Sequence, residues 1–312
     1  MLLAETSASA DWCEPGDARL RQTVMVNLRR WLAATCVAAV TVTSGCGGTV
    51  AAQTGASPAP SASVRSDPLL LVGQWFLEAD GEQPGSAIFL REEMTLFRGC
   101  GVMDGQWKAD GAQSLFVASS ASGDGGCFKG NGPPSIPWLE AAVAFRIDGS
   151  NRRLLDSAGH TVAVLRPGAK PTVGPNRSKD FYERPTRVTP SMRADVQEPR
   201  ALPTDVMPAR LEDLARRWRP VEVNPSSEAH LAFQEVGRWL GSDGCNGQGG
   251  RYVLGRGGRL LSTGGPSTLI GCDGAPVGAW MERAALAGIS NEHLVLYDRS
   301  GELVGKLTAA EG

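Results

Sequence analysis

The chain has 312 residues, of which 42% are hydrophobic, and a formal net charge of −2. This length allows two domains of about 100–150 residues with packed cores. The balanced charge excludes a global attraction to nucleic acid or anionic lipid. Because the chain has only three histidines, His-rich metal and catalytic sites are not expected.

An export signal is predicted to begin at Met25. Arg29 and Arg30 form a basic start, and residues 31–42 form an apolar run too short to span a bilayer about 30 Å thick. Residues 1–24 contain no hydrophobic stretch, so we expect them to be an extension that precedes the true start. The small residues Ser44 and Gly45 then precede Cys46.

The tripeptide at 44–46 resembles the lipobox of bacterial lipoproteins. This resemblance implies a cleaved signal peptide at 25–45, a diacylglycerol group on Cys46 and a mature protein anchored to the cell membrane. An ordinary secretory signal is the alternative. Residues 46–67 are small, polar and Pro-containing, so they are predicted to be a flexible tether.

The remainder of the chain contains one module twice. Cys100 and Cys127 are 27 positions apart, and so are Cys245 and Cys272. Each copy also begins with a tryptophan, carries an aromatic seven residues after its first cysteine, and ends in similar segments at 154–165 and 296–307. A repeat of this kind predicts two similar modules, at 68–166 and 209–309.

Short β-rich runs separated by Gly- and Ser-rich turns predict the fold class. We expect an α+β, β-rich protein with two tandem antiparallel-sheet or open-barrel domains, each with one helix. The helices are predicted to begin near Pro137 and Pro276. Residues 167–208 contain eight prolines and are predicted to be an interdomain linker. Its Phe181 and Tyr182 are expected to be unattached, and docking on a module surface is the alternative.

The four repeated cysteines allow three interpretations: disulfides, reduced core thiols or metal ligands. Equal spacing in an exported chain favours disulfides within each module, Cys100 with Cys127 and Cys245 with Cys272. Each would contribute roughly 3.5 kcal/mol through chain entropy. A zinc site would need about four ligands, and the scattered histidines do not supply them, so no metal or cofactor is predicted.

The second copy resembles the META/HslJ domain family. The residues that carry the resemblance are Trp218, Gly244-Cys245-Asn246, Gly250, Tyr252, Thr268 with Cys272, and Gly301 with Leu303. The first copy is a degenerate relative that lacks the Asn. The resemblance implies a small β-rich domain of bacterial heat-shock or envelope-associated lipoproteins, to which no established catalytic role belongs.

Trp239 and Asn246 are the candidate residues for a ligand surface. Trp239 precedes the Gly-rich turn at 241–250, where an exposed ring could contact a ligand or glycan; a core position is the alternative. No GK[ST] follows the turn, which disfavours a phosphate-binding P-loop. Asn246 is expected to bond its own backbone or to accept a left-handed conformation in the turn.

No nucleophile, base and orienting residue can be grouped from the sequence, so no catalytic residue is predicted. We therefore expect a non-catalytic binding, structural or stress-response role in the cell envelope, with the membrane and an envelope protein or small ligand as partners, and without nucleic acid. The alternative is an extracytoplasmic hydrolase that acts on envelope polymers at a site between the modules.

Overall fold

The computed structural model describes residues 66–127, 135–171, 182–221, 228–268, 270–271 and 274–310. All of them belong to one compact unit, 60–312. The predictions for residues 1–24, the signal peptide, Cys46, the tether up to residue 65, Phe181 and Cys272 lie outside the described residues. Within the described part, no helix is long and apolar enough to cross a membrane.

The first module is a closed antiparallel barrel of eight strands in sequential order. A 3₁₀ turn at Pro68–Leu71 precedes it, and β8 returns to pair with β1. Helix α1 (Pro137–Ala141) lies between β5 and β6. The strands are β1 (Gly73–Ala79), β2 (Ala87–Leu90), β3 (Met94–Arg98), β4 (Gly101–Asp110), β5 (Leu115–Gly125), β6 (Ala144–Asp148), β7 (Asn151–Leu155) and β8 (Thr161–Pro167).

The second module is a nine-stranded antiparallel sheet. Its order is β14-β13-β12-β11-β10-β17-β16-β15-β9. The strands are β9 (Met207–Pro208), β10 (Arg217–Pro220), β11 (His230–Gln234), β12 (Arg238–Ser242), β13 (Gly247–Leu254), β14 (Leu260–Gly264), β15 (Leu286–Ser290), β16 (His293–Tyr297) and β17 (Leu303–Ala309). The helices are α2 (Pro190–Asp195), α3 (Leu211–Leu214) and α4 (Val277–Arg283).

Strands β1–β8 and β10–β17 follow one another in the same order and have equivalent neighbours except at one place, where β5 pairs with β6 but β15 pairs with β9 instead of β14. The tryptophan that begins each module makes the same contact: Trp75 Nε1 donates to the Leu71 carbonyl at 2.8 Å, and Trp218 Nε1 to the Leu214 carbonyl at 3.3 Å. Both indole rings are buried in their own cores. The repeat in the sequence is therefore a repeat in backbone topology.

Leu115 and Leu260 each lie fifteen residues after the first cysteine of their module, but aligning them by this spacing misaligns one strand of the repeat. Trp107 pairs with Ala118 in the first module, whereas Tyr252 pairs with Ser262 in the second, so the second turn is one residue shorter. A shift of one residue moves a side chain to the opposite face of a strand. As a result, Leu260 lies in the core of its module, while Leu115 packs outside its own barrel.

The predicted β-rich fold with two antiparallel sheets and few helices is present. The finer expectation of one helix in each module is not confirmed in that form, because the described residues contain four short α-helices, two of them in the segment before β10. Helices α1 and α4 do follow the loops where they were predicted. The first sheet closes because β5 pairs with β6 at Leu115 and Ala144, whereas in the second sheet β15 pairs with β9.

Part of the predicted linker packs against the modules. Tyr182 is 8% exposed and packs in a cluster with Phe89 and Phe97 on the outside of the first barrel. Strand β9 pairs with β15 in the second sheet. The expectation that Tyr182 is unattached is therefore wrong, because two rings of the first module offer it an apolar surface.

Candidate functional site

The two modules contact each other through the outer faces of β5, β13 and β14. Val117 packs against Val253 and Leu261 in an apolar cluster shared by both modules. Beside this cluster, Ser119 Oγ donates to the Gly264 carbonyl at 2.8 Å, and the Gly264 amide donates to Gln106 Oε1 at 2.8 Å. Apolar burial and buried hydrogen bonds together hold the modules in one arrangement.

A basic side chain of each module binds the helix end of the other. Lys108 Nζ of β4 donates to the Glu282 carbonyl of α4. Arg251 Nη2 of β13 donates to the Glu140 carbonyl of α1. Lysine and arginine interact favourably with the carbonyls at a helix C-terminus. The contact between the modules is therefore reciprocal.

The two helix ends are equivalent positions in the repeat. The Ala142 amide bonds to the Trp138 carbonyl in α1, and the Ala284 amide bonds to the Trp280 carbonyl in α4. This equivalence aligns Glu140 with Glu282. The modules are thus related by an approximate twofold arrangement, in which each copy uses corresponding surfaces.

A buried ion pair adds to this contact. Arg259 of the second module lies 3.1 Å from Asp110 of the first, and both side chains are largely buried. Arg259 also lies 3.3 Å from Glu198, in the segment that follows α2. Arg259 thus joins both modules and the connecting segment. Removing either carboxylate would leave part of the positive charge of Arg259 uncompensated.

A cleft of 1020 Å³ lies beside the contact between the modules. Its walls come from β4 of the first module, from α2 and the residues after it, and from α4 and the β16–β17 turn of the second module. The polar residues that line it include Gln106, Lys108, Asp195, Glu282, Asp298 and Arg299. A cleft of this size, at a junction between domains, is a usual place for a ligand site.

Two of the cations that line the cleft, Lys108 and Arg299, have lost part of their hydration. Burial, and then the nearby positive charge of Arg299, lower the pKa of Lys108 to about 8, although Glu282 and Asp195 act in the opposite direction. Burial also lowers the pKa of Arg299. Loss of hydration disfavours the charged form of a basic group, and a neighbouring like charge adds to this effect.

A second cleft, of 490 Å³, lies where the twofold arrangement repeats the first one. It is lined by Glu140 of α1 and by Gln248 and Arg251 of β13, together with the Gly-rich backbone of that strand. Arg251 is 7% exposed, and burial lowers the pKa of its guanidinium. The terminal nitrogens of Arg251 donate to the backbone carbonyls of Val236 and Glu140.

Trp239 does not form a ligand surface. Its side chain is 1% exposed in the second core, and Nε1 donates to the Thr263 carbonyl at 3.0 Å. The strand alternation explains this: Trp239 and Gly241 point inward, while Leu240 points to solvent. The proposal of an exposed ring is therefore wrong, and the core alternative is correct.

Asn246 is also buried, with 5% of its surface exposed. Its Nδ2 donates to Asp243 Oδ2 at 2.9 Å and to the Ile270 carbonyl at 2.8 Å. Its Oδ1 accepts from Thr268 Oγ1 at 2.9 Å and from the Ile270 amide at 2.6 Å. Asn246 therefore joins the β12–β13 turn to residues 268–270, and its amide has no capacity left for a ligand.

The Cys100–Cys127 disulfide is formed as predicted. Cys245 also takes part in a disulfide, while its predicted partner, Cys272, lies outside the described residues. Among the described residues there is no group of three or more His, Cys, Asp or Glu side chains that could hold a metal ion.

Lys108 and Arg299 were not found from the sequence. A single lysine and a single arginine, far apart along the chain, do not form a local motif. The repeat contains a usable signal, however. Lys108 aligns with Val253, and Arg299 with Ser157, because the pairing and turn hydrogen bonds correspond. A charge present in only one copy indicates a role outside the shared fold.

Comparison with known proteins adds little. No protein-family profile matches the sequence, and no curated protein matches it. Among solved structures, a DUF4847 family protein from Bacteroides vulgatus is similar over 33% of this chain and 96% of its own length, with 14% identity and a TM-score of 0.25. A similarity at that level carries no argument about fold or function.

Proposed function

We propose that this protein is a lipid-anchored cell-envelope protein whose two META/HslJ-like modules hold a ligand or partner between them without catalysis. The observation that carries the binding role is the 1020 Å³ cleft at the junction of the modules. Its lining combines charged groups of both signs with apolar side chains such as Met192 and Leu261. Ligand sites in proteins have this combination.

The contacts that hold the modules together support a preformed site. The Val117 cluster, the Asp110–Arg259 pair and the Lys108 bond to α4 all join elements that form the cleft or flank it. A site that is already ordered loses less conformational entropy when a ligand binds. The arrangement therefore favours recognition of a ligand of defined shape.

The envelope location is supported by the sequence and by the cysteine chemistry. The Ser44-Gly45-Cys46 motif resembles a lipobox, and the Cys100–Cys127 disulfide suits an oxidising compartment. The META/HslJ resemblance of the second module adds an envelope or stress-response context. These observations agree with one another, and together they support an extracytoplasmic lipoprotein.

A hydrolase remains the second candidate, because the carboxylates of Asp195, Glu282 and Asp298 line the same cleft. The three histidines lie elsewhere. His160 is in the β7–β8 turn, His293 begins β16, and His230 begins β11 and lines the second cleft. This distribution favours binding over catalysis by a carboxylate–histidine pair.

Photo-crosslinking in intact cells tests the binding site. A benzoylphenylalanine at Ser300, an exposed residue at the cleft, should give a specific adduct. Ala158 is the matched control, because it occupies the equivalent turn of the first module and is exposed outside the cleft. The same adduct from both positions, or none from Ser300, would contradict a ligand in the cleft.

The anchor is tested separately. Cys46→Ser should release the protein into the medium or block its processing, because the diacylglycerol has no other acceptor in the motif. Incorporation of a fatty-acid analogue and membrane fractionation measure the effect. Retention of both label and membrane association in the variant would show that Cys46 is not the lipidated residue.

A further inference from the structure

Two of the cations at the wall of the large cleft, Lys108 and Arg299, bond to backbone carbonyls, and the nearby carboxylate of Asp195 acts on both without forming an ion pair with either. Lys108 donates to the Glu282 carbonyl, and Arg299 Nη1 donates to the Gln197 carbonyl. Within the described part of the chain, neither side chain forms a salt bridge. By contrast, Arg283 at the same cleft lies 2.9 Å from Asp298.

Holding these two cations costs folding free energy. Partly buried charges in proteins are usually paired, since desolvation disfavours a charge that has no counter-ion. The lowered pKa of Lys108 and of Arg299 both report this cost. Basic groups whose pKa values are perturbed and that line one cleft are candidates for a functional site.

The fold itself does not require the two charges. The second module has Val253 where the first has Lys108, and the first module has Ser157 where the second has Arg299. The equivalent strand and turn keep the same backbone pairing without them. The positive pair therefore belongs to the large cleft alone, and the twofold-related cleft lacks its counterpart.

The remaining N–H donors of Lys108 and Arg299 are suited to binding an anion. A lysine side chain has three N–H groups and an arginine side chain has five. Lys108 and Arg299 each donate one of these groups to a backbone carbonyl. Carboxylate and phosphate oxygens accept several such bonds, which are stronger when both partners are charged. The exposed Glu92 and Glu93 at the same cleft would repel a highly charged polymer.

We propose that the cleft binds a small molecule through a carboxylate or phosphate group held by Lys108 and Arg299. This inference deepens the proposed binding role and rests on it. The remaining volume of the cleft would accommodate the uncharged part of the ligand.

Calorimetry on the purified full chain tests the proposal, with oxalate as a carboxylate probe, sulfate as a tetrahedral probe and glucose as an uncharged control. Either anion should bind, and glucose should not.

Binding should also be coupled to proton uptake, because a bound anion stabilises the charged form of Lys108. A group with a pKa of about 8 is half neutral at pH 8, so binding at this pH should take up as much as about half a proton. Near pH 6, where the group is already charged, the uptake should vanish. Titration in two buffers with different ionisation enthalpies measures it.

Lys108→Met and Arg299→Gln should each weaken anion binding by at least about tenfold, equivalent to 1.4 kcal/mol. Lys306→Met is the matched control, because Lys306 is exposed and does not line the cleft, and it should bind as the unaltered chain does. Arg299→Gln carries the test alone if Lys108→Met fails to fold, since Arg299 lies in a hairpin turn.

Equal affinity in the two cleft variants and the control overturns the proposal, as does the absence of binding or of proton uptake at pH 8. If the Ser300 adduct forms but neither anion binds, the ligand class is wrong while the binding role stands. If the adduct is missing as well, both proposals fail.

Discussion

Single polar residues set the local structure of the second module. Asn246 is the clearest case, because its amide makes four hydrogen bonds and reaches both the turn that contains it and residues 268–270. The first module has Gly101 at the corresponding place, with a φ of 146°. The second module therefore stabilises this turn with the side chain of Asn246, whereas the first module has a glycine there, whose backbone can adopt a positive φ.

Asn246→Ala should destabilise the protein by about 2–4 kcal/mol, because it leaves several buried groups without partners. Urea unfolding followed by fluorescence measures the change. Asn151→Ala in β7 is the control, because the Asn151 side chain forms no hydrogen bond with the described part of the chain; its effect should stay within about 0.5 kcal/mol. Equal effects of the two substitutions would show that the Asn246 network contributes nothing.

At the scale of elements, β12, β13 and β14 approach each other closely at Gly250. A Cβ at that position would lie 1.9 Å from the Thr263 carbonyl oxygen and 2.7 Å from Trp239 Nε1. The hydrogen bond from Trp239 to Thr263 thus passes over Gly250, and only a residue without a side chain permits it. The buried position of Trp239 therefore requires a glycine at position 250, which is the residue that the sequence has there.

Gly250→Ala should cost about 1–3 kcal/mol through overpacking and loss of the Trp239 hydrogen bond. Gly247→Ala in the same strand is the matched control, since a Cβ there meets nothing within 4 Å. Thermal unfolding compares the two variants. A Gly250→Ala protein as stable as the Gly247→Ala protein would contradict the close approach.

The Cys100–Cys127 disulfide links elements within the first module. Cys100 in the β3–β4 turn is joined to Cys127 after β5, and we expect Cys245 to be joined to Cys272 in the same way. Peptide mapping without reduction should recover both pairs. Replacement of Cys100 and Cys127 by serine should cost about 2–5 kcal/mol. Recovery of a Cys100–Cys245 peptide would rule out the repeated arrangement.

At the scale of the whole molecule, several kinds of contact join the two modules, and we expect them to unfold together. The apolar cluster of Val117, Val253 and Leu261, the Asp110–Arg259 pair and the reciprocal bonds to α1 and α4 all connect them. Packing of the segment that includes Tyr182 and β9 adds further attachment. Unfolding of one module would therefore expose buried surface of the other.

Calorimetric unfolding should show a single transition in the unaltered chain. Val117→Asp would place an unpaired charge in the contact between the modules, where such a charge costs about 3–5 kcal/mol. We expect this variant to unfold in two separate transitions. Val236→Asp, at a residue 67% exposed, should keep the single transition. Two transitions in the unaltered chain would mean that the modules are not coupled.

The sequence by itself determined the duplicated β-rich architecture and the Cys100–Cys127 pairing, because periodic strands, turn residues and equal cysteine spacing are local or repeated patterns. Only the tertiary structure decided how the modules meet. The β13–β14 turn is one residue shorter than the β4–β5 turn. For this reason Leu260 lies in the core, and Arg259 faces outward and pairs with Asp110. Lys108 and Arg299 line the same cleft because two sheets pack face to face. A contact of this kind joins residues that are far apart in the sequence, so no local sequence pattern predicts it.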